Sequence, residues 1–208
     1  MNTKLIMLLV VFSNFVFTTD RIANAPIQEL LLRRWSPRAM SGESVSVNEL
    51  RQLFEAARWA PSSYNEQPWR FIYAFKGSTQ WDRLFDLLVP FNKSWACNAS
   101  ALILILSKKT FTHDGSINNT HSFDVGSAWQ NFALEGSAMG LVVHGMAGFD
   151  SDRARQVLTI SDEYAIEAMI AVGKPASRTV LPDYMQSSET PSARKSVDEL
   201  ISDDSFCW

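Results

Sequence analysis

Apolar and polar positions follow two alternating rhythms along this chain. A helical spacing appears at Ile27, Leu30 and Leu31, with Pro26 at the first turn, and predicts a short helix over 26–35. Ser46-Val47-Asn48-Glu49 is a capping box, so a second helix should start at Val47, present Leu50, Leu53, Phe54 and Ala57 on one face and stop before Pro61. Residues 71–75 read as a strand, 79–89 as a helix with Leu84, Phe85 and Leu88 inward, and the unbroken apolar run 101–106 as a strand buried on both faces. A polar loop over 108–122 leads into a helix over 123–139, closed by Gly140, and then into a strand over 141–144. A short helix near 152–158 and a strand over 165–172 complete the core, and Gly173-Lys174-Pro175 ends that strand. The tail from 176 to 208 is rich in Ser, Pro and charge and has little periodicity. With neither an internal repeat nor an interdomain linker, this order predicts one α+β domain over 26–208, with a sheet of four or five strands enclosed by helices.

The N-terminus has a different pattern. Lys4 precedes an apolar stretch, interrupted at Ser13 and Asn14, that gives way to polar residues and Ala23-Asn24-Ala25. A charged start, an apolar stretch too short to span a bilayer and a small-x-small end predict a secretory signal over 1–25. Cleavage would place the protein in the periplasm or another exported compartment; a retained segment would leave it cytoplasmic. Export would allow Cys97 and Cys207 to be oxidised, although no feature of the sequence brings them together.

Composition narrows the function. Lysine and arginine number 19 against 22 acidic residues, a formal charge of -3, so there is no overall positive field for nucleic acid or an anionic membrane surface. Two cysteines do not make a disulfide scaffold or a C-x-x-C zinc pair. The chain has no G-x-G-x-x-G, P-loop or G-x-S-x-G motif, and its three histidines are dispersed. His113 and His121 read as solvated loop residues and His144 as a core or rim residue. An organic cofactor then becomes the economical source of chemistry.

Two stretches carry chemistry of their own. Arg33-Arg34-Trp35-Ser36-Pro37-Arg38 offers guanidinium forks and a hydroxyl where the first helix breaks, a donor set suited to phosphate or equally to solvated salt bridges. Pro61-Ser62-Ser63-Tyr64-Asn65-Glu66-Gln67-Pro68-Trp69 is a loop fenced by prolines, whose amides could read the edge of a flat heterocycle or cap backbone groups.

Taken in order, Arg-Arg-x-Ser-x-Arg, Pro-Ser-Ser-x-Asn-x-Gln-Pro-Trp69, Gly145-x-x-Gly-Phe-Asp150 and Gly173-Lys-Pro175 resemble the FMN-dependent nitroreductase family over roughly 26–200. The resemblance implies a mostly antiparallel α+β fold and a homodimer with FMN at its interface. It also implies ping-pong hydride transfer from transiently bound NAD(P)H, through flavin N5, to a nitroaromatic, a quinone or a similar electron-poor acceptor. Relatives that dehalogenate, oxidise peptides or break down flavin keep open other flavin reactions, as does a non-catalytic FMN-binding role. By position, the resemblance assigns Arg34, Ser36 and Arg38 to the phosphate and ribityl chain, with Arg33 less clearly placed. It assigns Pro61, Ser62, Ser63 and Asn65 to the flavin of the other subunit and Asn92 to the pyrimidine side. The backbone N–H of Ala147 or Gly148 falls to N5, and Arg194 or Lys195 to a late basic group that closes on the phosphate. An acidic residue often stands where this chain has Ala147, and the ending after Leu200 does not look like the family's.

Overall fold

The apolar run in the middle of the chain becomes a central strand with both faces covered. The structure, a computed structural model, describes residues 21–206. The described residues contain four strands, β1 (Trp69–Phe75), β2 (Ala101–Lys108), β3 (Val142–Met146) and β4 (Tyr164–Gly173). They form one sheet of order β1-β2-β4-β3, with every neighbouring pair antiparallel. Leu102, Leu104 and Leu106 of β2 enter one hydrophobic core, and Ala101, Ile103 and Ile105 enter the other, which is why this strand reads as a continuous apolar run rather than an alternating one. Glu167 is the extra residue at a register shift between β2 and β4.

Among the described residues, seven helices surround the sheet: α1 (Glu29–Arg33), α2 (Val47–Arg58), α3 (Thr79–Asp86), α4 (Pro90–Ala96), α5 (His121–Ala138), α6 (Ser151–Val157) and α7 (Asp183–Gln186). The capping box forms as expected, with Ser46 Oγ accepting from the Glu49 N–H and the Glu49 carboxylate accepting from the Ser46 N–H. Lys174 pairs with the same carboxylate, and these contacts hold the Glu49 pKa down to about 2, the Lys174 hydrogen bond being the largest cause. Met40 bridges to Pro175, and the Lys174 carbonyl accepts from the Ser41 N–H, so Gly173-Lys174-Pro175 clips the start of the domain to the end of β4.

Several boundaries differ from the sequence reading. The first helix is shorter, because residues 26–28 make no helical turn and Arg34 is already extended. The helix expected over 79–89 ends at Asp86, and Pro90 opens a separate helix, α4, since proline lacks only a donor that the first helical turn does not use. The tail that looked aperiodic folds back as α7 and two single 3-10 turns, with Leu181 and Met185 in the core. Residues 1–20 of the expected signal and Cys207 lie outside the described residues, and Cys97 is exposed with a free thiol.

Helix α5 is pressed against β3 at Gly136, where an added methyl would sit 2.3 Å from Val143 Cγ2. Gly136→Ala is therefore expected to lower the unfolding free energy by about 1–2 kcal/mol through overpacking, as urea denaturation would read.

Candidate functional site

Segment 34–38 runs beside β3 and is fixed there by a histidine. His144 Nδ1 lies 3.0 Å from the Pro37 carbonyl oxygen, and its ring packs on Trp95 of α4 with centroids 4.6 Å apart. Burial pushes the His144 pKa down to about 4; the Pro37 carbonyl opposes this and the Arg38 charge adds to it. The neutral ring thus donates to Pro37. The unfolded chain takes up this proton near pH 6.5, and the folded chain only near pH 4. His144 therefore contributes stability that is present above about pH 6.5 and is lost as pH falls toward 4. The melting temperature should drop across that window, and His144→Asn should flatten that part of the profile.

The guanidinium groups nearby occupy distinct settings. Arg33 is exposed and pairs with Glu29 one turn earlier, whereas Arg34 is half-buried with Nη1 3.3 Å from Ser36 Oγ. Desolvation lowers the Arg34 pKa, and the charges of Arg194 and Arg21 lower it further. Arg38 pairs at 3.8 Å with Glu189, a buried tail carboxylate that also accepts the N–H groups of Arg38 (2.5 Å) and Ala39 (2.9 Å). Arg38 Nε is buried without a hydrogen-bond partner among the described residues. Arg194 is exposed, donating to Ser192 and Ala193, and Lys195 is exposed beside it.

Asn92 and the Ala147–Gly148 segment meet where α4 packs on the loop after β3. Asn92 is buried on α4, and its Nδ2 donates to the Gly148 carbonyl at 2.9 Å, while the Val89 N–H donates to the same oxygen at 3.1 Å. A methyl on Gly148 would fall 2.7 Å from Asn92 Nδ2, so glycine is what allows this close approach. The N–H groups of Ala147 and Gly148 engage no acceptor among the described residues. Phe91, also on α4, stacks under Arg38, whose guanidinium carbon is 5.9 Å from the ring centroid. Three segments distant in sequence, 34–38, 91–92 and 147–148, are thereby gathered at the β3 edge.

Loop 61–67 lies elsewhere. It leads into β1, the opposite edge strand, at the same end of the sheet as the loop after β3. Three strand steps at about 4.8 Å each separate the two edges by about 14 Å, so one chain does not bring Pro61, Ser62, Ser63 and Asn65 to the other groups. The loop is tightly held. Ser62 Oγ accepts from the Gln67 N–H at 3.0 Å, and buried Asp124 accepts from the Ser63 N–H at 3.1 Å. Tyr64, Asn65 and Gln67 all have positive φ, near 50°, a conformation that costs about 1 kcal/mol or more per non-glycine residue and is characteristic of functional loops. Glu66 fastens the loop to residues 109–118 by accepting from the Thr112 N–H and hydroxyl.

The sequence reading missed Glu189 and Arg21 as members of this region. Its solvated His121 is instead partly buried at the start of α5, with Nδ1 2.7 Å from Ser107 Oγ. Ser107 also bonds the bulged Glu167, which accepts from Ser122 at 2.7 Å. Trp129 lies against Gly145 beneath β3 and Phe91 stands exposed. No group of metal-ligating side chains occurs among the described residues, and no described helix is long and apolar enough to cross a membrane.

Fold and site define an α+β protein in which guanidinium, side-chain amide and backbone N–H donors gather at one edge of an antiparallel sheet. The chain belongs to the nitroreductase family, whose family model matches residues 31–89 and 81–174. It is similar to the crystal structure of an oxidoreductase containing FMN, at 38% identity and a TM-score of 0.86 over 90% of this chain and 96% of that one. A nitroreductase-type protein of Desulfovibrio desulfuricans in complex with FMN gives 25% identity and a TM-score of 0.68, covering 86% and 96%. A protein of Polynucleobacter asymbioticus named as an NADH dehydrogenase/NAD(P)H nitroreductase is 22% identical over 174 residues, 75% of this chain and 88% of that one.

Proposed function

We propose that this protein is an FMN-dependent oxidoreductase that uses NAD(P)H to reduce an electron-poor acceptor such as a nitroaromatic or a quinone. The observation that carries the reading is the Asn92–Gly148 hydrogen bond, which joins the ring-side residues beside the half-buried Arg34–Ser36–Arg38 segment. The donor set fits the cofactor: guanidinium groups and a hydroxyl for a phosphate and ribityl chain, an amide for a pyrimidine edge, and two unengaged N–H groups for a ring nitrogen. FMN, when bound, supplies hydride transfer between NAD(P)H and the acceptor.

The chain's own residues do the rest. Arg34, Ser36 and Arg38 hold the phosphate end, and Arg194 or Lys195 closes on it from the tail. Asn92 fixes the pyrimidine side, and the Ala147 and Gly148 amides orient the reacting edge. Pro61, Ser62, Ser63 and Asn65 come from a second copy, because the loop stands at the edge of the sheet away from the other groups. A homodimer then completes two sites, with the rigid loop helping to exclude water. The exposed aromatic side chains of Trp59, Tyr64 and Phe123 supply apolar surface for such an interface. The leader-like composition of the N-terminus extends this proposal to an exported enzyme, with any cut falling ahead of Arg21, whose side chain is bonded into the domain.

The purified protein should be yellow, or become so on addition of FMN, and should oxidise NAD(P)H when a nitroaromatic or quinone is supplied. A colourless preparation that stays colourless with FMN would refute the reading, and colour without NAD(P)H consumption would reduce it to a binding protein. Sedimentation should give twice the chain mass.

A further inference from the structure

Arg21 precedes every described element of the fold and lies within the stretch whose composition reads as a leader. Its side chain is nevertheless built into the domain. Nη1 donates to the carbonyls of Leu32 at 2.6 Å and Arg34 at 2.8 Å, where helix α1 ends. Nε donates at 3.1 Å to the carbonyl of Ser192 in the tail. The same Ser192 carbonyl accepts from Arg194 at 3.2 Å. One guanidinium therefore joins the backbone that carries Arg34 to the backbone that carries Arg194. Nearby, Asn24 Oδ1 accepts from the Val197 N–H at 3.1 Å, a second tether between the same arm and the tail.

Three positive charges converge where α1 gives way to the extended segment 34–38. Each repels the others: Arg194 depresses the Arg21 pKa in addition to burial, and Arg194 and Arg21 both depress that of Arg34. Such a gathering is favourable when an anion lies among the groups, and its geometry is held by carbonyl acceptors that cannot relieve the repulsion as a full negative charge would.

We infer that Arg21 is a positioning residue for the phosphate end of the site, clamping the Arg34 and Arg194 segments together across an anionic group. This rests on the flavin reading above. It also means that the working chain keeps residues 21–25, since a cut after Ala25 would remove both tethers.

Full-length protein and its Arg21→Ala and Arg21→Lys variants are titrated with FMN and with riboflavin, which has the same ring and ribityl chain but no phosphate. Both variants should bind FMN about tenfold more weakly, the scale of one charge-assisted hydrogen bond, because the shorter reach of lysine and its lack of a fork do not span the three carbonyls. Riboflavin affinity and far-ultraviolet circular dichroism should stay the same. Unchanged FMN affinity in both variants would overturn the inference, as would an equal loss for FMN and riboflavin, which marks a general structural role. A parent chain that binds neither flavin would overturn the functional reading along with it.

Discussion

Arg34→Ala is expected to weaken FMN binding by about 2 kcal/mol, or roughly thirtyfold. Arg34 is the half-buried member of the adjacent arginine pair, is held over Ser36 Oγ and feels two further guanidinium charges. Arg33 lies on the exposed face of α1 and is committed to Glu29. The paired variant Arg33→Ala should therefore leave affinity within a factor of two, since exposed ion pairs contribute little. Flavin fluorescence titration reads both. Equal losses in the two variants would indicate that the cluster acts through diffuse charge rather than through a placed donor.

Glu189→Ala should cost about 3–4 kcal/mol of folding stability, the largest effect expected of a single change. The carboxylate is buried and accepts the backbone N–H groups of Arg38 and Ala39 while pairing with the Arg38 side chain. Truncation leaves one part-buried and one buried N–H unmet and takes the carboxylate away from the Arg38 cation. Glu189→Gln keeps an acceptor oxygen for the N–H groups but loses the charge, so it should be intermediate. Guanidinium denaturation of the three proteins, fitted with a common slope, would order them as wild type, Glu189→Gln and Glu189→Ala. Because Glu189 also orients Arg38, flavin affinity should follow the same order.

The features legible in the sequence were those set by near neighbours. The capping box at Ser46 and Glu49 gave the start of α2 because both reciprocal hydrogen bonds lie within four residues. The run 101–106 gave β2 because a strand covered on both faces has no polar alternation to disguise it. Asn92 and Gly148 were assigned separately through family resemblance, and the hydrogen bond between them is a property of the folded chain. What escaped notice depends on long-range contact. Glu189 is one acidic residue in a polar tail, and only the return of that tail to residues 38–39 makes it a clamp. Arg21 was hidden in the same way, by a leader-like composition that says nothing of where the side chain lands. Helix α4 has a weak signature in sequence, because it is only seven residues long and its N-cap, Val89, makes no side-chain capping bond. The positive φ angles at Tyr64, Asn65 and Gln67 have no glycine to announce them.

The clasp between Glu66 and Thr112 has a consequence for how this scaffold can diversify. Residues 109–118 form a small hairpin, closed by the Thr110–Ile117 bridge and latched at Thr112 to the loop before β1. Beyond the latch, Phe111 and His113 pack on Tyr64 of that loop, and the turn from Asp114 to Ser116 is held by hydrogen bonds of its own. Residues can be exchanged or inserted between Asp114 and Ser116 without disturbing the latch, which makes that turn a natural grafting point while the loop before β1 keeps its shape.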